Sequence, residues 1–144
     1  TKYHTASHLL LASLRKILGE HIYQKGSNIT PERLRLDFPN DQKLTDEQIL
    51  QVEQMVNNQI SKHLPVQYEE MPKEQALKIV PYAAFPEKYP DIVKVYYIGS
   101  KDNPFSIEIC NGPHVSNTKQ LGKFKIIKQE NVGAGIKRIK AVLQ

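Results

Sequence analysis

Tyr3, Ala6, Leu10, Leu14, Ile17 and Leu18 recur three and four residues apart, which predicts an amphipathic helix over residues 3–18 with Gly19 placed to end it. A β-like run with a polar Gln24-Lys25-Gly26-Ser27 segment follows. Arg33-Leu34-Arg35-Leu36-Asp37-Phe38 then alternates polar and apolar, so it reads as a strand with one buried face, paired in a hairpin with the run before Pro31. Thr45-Asp46-Glu47-Gln48 is a capping box, and Ile49, Val52, Val56 and Ile60 continue it as a second amphipathic helix. Beyond Pro65 the pattern predicts a short strand over 66–69, a short helix after Pro72, and a loop over 80–90 with three prolines and three aromatics. Residues 92–98, 105–110, 124–128 and 136–142 complete the set of predicted strands. No repeat or linker divides the chain. The economical fold is one α+β domain over residues 1–144, a mixed or antiparallel sheet packed against helices as a two-layer sandwich.

Composition agrees with a globular chain. Of 144 residues, 40% are hydrophobic and 24% charged, enough apolar material for a core and too much for disorder. No apolar run approaches the roughly 20 residues that cross a bilayer, which argues against a membrane partner, and the opening segment lacks a signal-peptide pattern, so the chain reads as cytoplasmic. The chain begins at Thr1 without an initiator Met, which suggests a piece excised from something longer. Seven basic residues from Lys119 onward (Lys119, Lys123, Lys125, Lys128, Lys137, Arg138 and Lys140) face one acidic residue, Glu130. That end therefore carries +6 of the net +5, and the rest −1. A basic surface there suits a polyanion such as RNA, with Lys123, Lys125, Lys137, Arg138 and Lys140 as candidate contacts, although a merely solvated lysine-rich face has the same composition.

Candidate chemistry is concentrated at the two ends of the pattern. His4 and His8 are four apart, so both imidazoles leave one face of the first helix, an arrangement that on its own is most often a solvated pair. A strand ending in Cys110 and a Gly112-Pro113 turn supply a thiol and the third imidazole of His114. Three nitrogens and one sulfur suit a borderline-soft cation such as Zn2+. The single cysteine excludes an internal disulfide and is better explained as a ligand or reactive group. Gln24, Lys25 and Ser27 offer donors and acceptors to a polar pocket. A metalloprotease is disfavoured, because Thr5-Ala6 follow the first His where that chemistry needs a glutamate.

The motifs come in a familiar order: His-x-x-x-His opening a helix, Gln-Lys-Gly-Ser, Arg-Leu-Arg-Leu-Asp-Phe, Phe-Pro-Glu-Lys-Tyr, Cys-Asn-Gly-Pro-His-Val, Gly-Lys-Phe-Lys-Ile and Gly-Ala-Gly-Ile-Lys-Arg-Ile-Lys-Ala-Val. Over nearly the whole chain this resembles alanyl-tRNA synthetase editing domains and the free-standing AlaX trans-editing proteins, of the synthetase second additional domain family. The resemblance implies a zinc-dependent aminoacyl-tRNA hydrolase, part of an alanine-tRNA ligase, that removes wrongly attached serine or glycine from the 3′ end of the tRNA for alanine. By that likeness His4, His8, Cys110 and His114 match the zinc ligands, and Gln24, Lys25 and Ser27 match a segment lining the editing pocket. Pro113 stands where the alanyl branch usually has Thr, a feature more like the threonyl-tRNA synthetase editing domain, and Pro86 and Pro90 replace usual glycines. A threonyl-type editing domain clearing seryl-tRNA therefore stays open, as does a zinc-stabilised module that binds tRNA without turnover. Selecting serine over alanine requires a group that rewards the substrate hydroxyl, and Gln24 and Thr5 are the candidates. Four protein ligands would fill a tetrahedral shell, which favours an ion that binds and orients the substrate over one that only activates water.

Overall fold

The computed structural model describes residues 1–83 and 85–144; the loop expected over 80–90 includes position 84, which lies outside the described residues. The first helix, α1 (Lys2–Leu18), ends at Gly19, whose φ of 127° suits a residue without a Cβ and whose N–H closes the last turn on the Arg15 carbonyl. Two strands follow, β1 (Gly26–Ile29) and β2 (Leu34–Pro39), then α2 (Asp46–Ser61), β3 (Val66–Pro72) and the one-turn helix α3 (Lys73–Leu77). The chain closes with β4 (Ile92–Gly99), β5 (Pro104–Ile109), β6 (Phe124–Gly133) and β7 (Ile136–Leu143). The capping box is formed as expected: Thr45 accepts from the Gln48 N–H, and the Gln48 side chain accepts from the Thr45 N–H.

Every strand pairing is antiparallel, but the strands form two sheets rather than one, a four-stranded sheet in the order β1-β2-β7-β6 and a three-stranded sheet in the order β3-β4-β5. The result is an α+β fold of helices packed on antiparallel sheets. α1 lies between them. It packs against α2 and β2 on one side and β5 on another, which is why its burial runs wider than the predicted stripe and takes in Thr5, Ala6, Ser7, His8, Leu9, Leu10, Leu11, Ser13 and Leu14. Leu9, Leu10 and Leu14 are fully buried with Leu34, Leu36, Phe38, Val52, Val56, Phe124 and Ile139, each such side chain contributing about 1.5–3 kcal/mol. A smaller core of Met71, Ala76, Val93, Val95 and Tyr97 covers the other face of the three-stranded sheet.

One expected strand is shorter than its pattern. Only Gly26–Ile29 of the run after Gly19 enters the sheet. The Arg15 guanidinium donates to the carbonyls of Glu20 and Ile22, and those acceptors are thereby withdrawn from any ladder. This irregular segment brings Tyr23 and Gln24 beside α1.

Candidate metal centre

The first turns of α1 present His4 and His8 towards the end of β5, where Cys110 leaves the strand and the chain turns through Gly112 and Pro113 to His114. One nitrogen from each imidazole and the Cys110 Sγ all lie within 4.8 Å of one another. Cys110 Sγ is 3.2 Å from His4 Nε2 and also accepts from the Gly112 N–H at 3.4 Å. The His4 and His114 rings stack with centroids 4.2 Å apart, and His8 meets both edge-on. Gly112 is required by this approach, since a Cβ there would lie 2.1 Å from His4 Cε1.

Each imidazole is held from behind through Nδ1. His4 Nδ1 is 3.1 Å from the Pro113 carbonyl, which only accepts, so Nδ1 carries the proton and Nε2 is left bare. His8 Nδ1 lies 2.5 Å from Glu108 Oε2, an attraction between charges without the alignment of a hydrogen bond. His114 Nδ1 is 2.9 Å from Thr5 Oγ1. That hydroxyl already accepts from the Val115 N–H and donates towards the Thr1 carbonyl, so the imidazole N–H donates to it. His114 Nε2 is then a buried acceptor with no partner. Orphaned buried nitrogens are rare, and one aimed among two imidazoles and a thiol is accounted for by an ion. The residues present fit a metal: Nε2 of three histidines and Sγ of one cysteine, each imidazole oriented by a second partner, is a donor set suited to zinc.

The charges of the metal-free site point the same way. Burial raises the Cys110 thiol, but the surrounding imidazoles of His114, His4 and His8 outweigh it and bring its pKa down to about 4, which favours the thiolate. Burial likewise disfavours a charged His8, yet the Glu108 carboxylate and Cys110 overcome it and raise its pKa to about 10. Burial holds His114 below its ordinary range. A cation entering the site takes the place of the His8 proton between two anions.

Beside the ligands is a cavity of about 190 Å³ walled by Gln24, Tyr23, Tyr82, Tyr89 and Glu108, with His4, His8 and Cys110 on one side. Tyr23 and Tyr82 stack on each other in its wall, with ring centroids 4.4 Å apart. Of the predicted pocket residues Gln24 lines this cavity, its amide 3.4 Å from Ser27 Oγ. Lys25 and Ser27 are exposed and do not line it; the Lys25 N–H pairs with the Asp37 carbonyl. Thr5 is fully buried with its hydroxyl committed to His114 and Val115, so it orients a ligand and does not face a substrate.

The basic candidates are scattered in environment. Lys123 and Lys125 are exposed. Arg138 makes a two-pronged pair with Asp37 at 2.9 and 3.1 Å, and Lys140 lies 3.2 Å from Glu130. Lys137 is only 3% exposed, because β7 alternates and places it on the inward face with Ile139 and Ala141. Two site residues escaped the motif reading. Glu108 had a signal, lying two residues before Cys110 and hence on the same side of the chain. Tyr96, directly opposite Glu108 in the β4–β5 register, packs its ring 4.3 Å from that of His114 and had no such signal.

The profile of the threonyl and alanyl tRNA synthetase second additional domain matches residues 93–140. Over its full length the chain is 51% identical to a segment of the alanine-tRNA ligase of Treponema denticola, covering 23% of that protein. It is 53% identical over 143 residues to the ligase of Borrelia hermsii, again 23% of it, and 49% identical over 141 residues to that of Caldicellulosiruptor saccharolyticus, 16% of it. The chain thus spans less than a quarter of the length of these curated relatives.

Proposed function

The chain is an editing-type domain of the alanyl-tRNA synthetase kind, and from that premise we propose that it is a zinc-dependent hydrolase clearing serine or glycine from the 3′ end of the tRNA for alanine, within a longer cytoplasmic ligase. The observation that carries the reading is the convergence of three imidazoles and the Cys110 sulfur, within 4.8 Å of one another, beside a small cavity. A zinc ion held there supplies a Lewis acid that polarises a carbonyl or lowers the pKa of water towards about 7 where a coordination position is open.

The remaining work falls to the chain's own residues. In hydrolysis the oxygen of water bonds to the aminoacyl carbon, the ester bond to the ribose breaks, and the ribose oxygen leaves with a proton. Gln24 faces the cavity with a donor and an acceptor and rewards the hydroxyl of a seryl group, which a methyl group cannot match. Tyr82 and Tyr89 give the site an apolar wall that limits the side chain admitted and excludes bulk water. Thr5 keeps His114 in the tautomer that leaves Nε2 free, and the Glu108 carboxylate beside Nδ1 orients the His8 ring. Of the basic candidates, Lys123 and Lys125 are exposed to the tRNA backbone, whereas Arg138 and Lys140 are paired with Asp37 and Glu130 and Lys137 faces inward.

The alanyl-type relatives favour this over the threonyl-type alternative, despite Pro113, whose carbonyl serves here as the brace for His4. The test is deacylation of seryl-, glycyl- and threonyl-tRNA with and without chelator. Seryl and glycyl esters should be cleaved, the rate should vanish with chelator and return with zinc, and Gln24→Ala should slow the seryl reaction selectively. Metal-dependent folding without turnover would instead mark a tRNA-binding module.

A further inference from the structure

A second cavity, of about 340 Å³, runs on from the metal cavity along the groove between α1 and β5 and shares Leu11, Arg15, Pro81 and Glu108 with it. Resting on the editing reading above, we propose that this cleft takes the nucleotide preceding the terminal one in a single-stranded RNA 3′ end, with its base against Phe105 and its phosphate on Lys16.

Its position makes it the continuation of the site. Lys16 is eight residues beyond His8 on α1, about 12 Å along the axis at the α-helical rise, so a chain whose end lies at His8 passes Lys16 next. The size falls within the range of small-ligand pockets. Its chemistry combines an aromatic face with a mobile cation. Lys16 Nζ sits 5.1 Å over the Phe105 ring, Lys16 is exposed, and among the described residues it makes no salt bridge. Aromatic stacking beside a basic side chain is how single-stranded nucleic acid is held without reading its sequence. A base that takes the ring displaces the ammonium, which then meets the phosphate.

The two anionic walls do not oppose this. Glu108 lines both cavities and has its Oε2 turned to His8 Nδ1 at 2.5 Å, and Glu20 is exposed to solvent. Arg15 is not a free phosphate ligand, because its guanidinium is spent on the carbonyls of Glu20 and Ile22; it holds the partition between the two cavities in shape.

The test uses the zinc-loaded protein titrated with the RNA tetranucleotide ACCA and, separately, with AMP, followed by NMR. Phe105→Leu, which keeps an apolar side chain, and Lys16→Ala should each weaken ACCA about tenfold and leave AMP unchanged, and Lys16→Ala should also reduce the salt dependence. In seryl-tRNA deacylation both should raise KM with kcat unchanged. Unaltered ACCA affinity in both folded variants overturns the proposal while leaving the editing activity intact. Conversely, a parent protein that binds ACCA through Phe105 yet cleaves no ester would sink the editing reading and keep the cleft.

Discussion

Thr5 and His114, 109 residues apart, meet through a 2.9 Å contact between a threonine hydroxyl and imidazole Nδ1, and that contact decides which nitrogen of His114 is free. A buried threonine in the first turn of a helix thereby sets the tautomer of a candidate metal-binding histidine 109 positions further along the chain.

Thr5→Val keeps the shape and loses the hydroxyl. Zinc affinity, read by competition with a chromophoric chelator, should fall about 10- to 100-fold, the usual cost of losing a ligand's second partner. Thr5→Ser should restore it, and a Thr5→Val protein that binds zinc as the parent does would remove the positioning role. Glu108→Gln, which braces His8 without charge, should have a loss of similar size.

Gly112→Ala puts a methyl group where the His4 ring lies. His4 should be displaced while His8, Cys110 and His114 stay, so the cobalt-substituted protein should keep its thiolate-to-metal absorption but shift its d–d bands. An unchanged spectrum would mean that the turn relaxes without cost to His4.

The pH dependence of the metal-free protein follows from two opposed shifts. The Cys110 pKa is lowered from 9.0 to about 4, so its contribution is complete above pH 9 and is lost as pH falls towards 4. The His8 pKa is raised from 6.5 to about 10, so its contribution is complete below pH 6.5 and is lost as pH rises through 10. Urea unfolding in chelator should therefore show stability rising from pH 4 to 6.5, changing little to pH 9, and falling beyond. A flat profile between pH 4 and 6.5 would show that no thiolate is held in the folded protein.

Much of this was legible in the chain. The stripe of α1, the Thr45–Gln48 cap and the alternation of β7 are local patterns with a period, and they produced elements within a residue or two of their expected bounds. The cluster of His4, His8, Cys110 and His114, which could hold a metal ion, could be read because these residue types are chemically distinctive. The role of Thr5 could not, since it depends on Val115 and His114 arriving from across the fold. Nor could the division into two sheets or the short β1, which turns on where one arginine places its guanidinium. Lys137 shows the cost of counting charge without phase: its neighbours Ile139 and Ala141 already assign it to the inner face.

The candidate metal ligands come from distant segments of the chain, His4 and Cys110 being 106 positions apart. Crosslinking a loop of that length removes on the order of 4–5 kcal/mol of unfolded-chain entropy in the polymer model for a disulfide. In a protein with one cysteine, an ion bridging those segments would be a reversible staple, so metal supply would govern how long the fold survives.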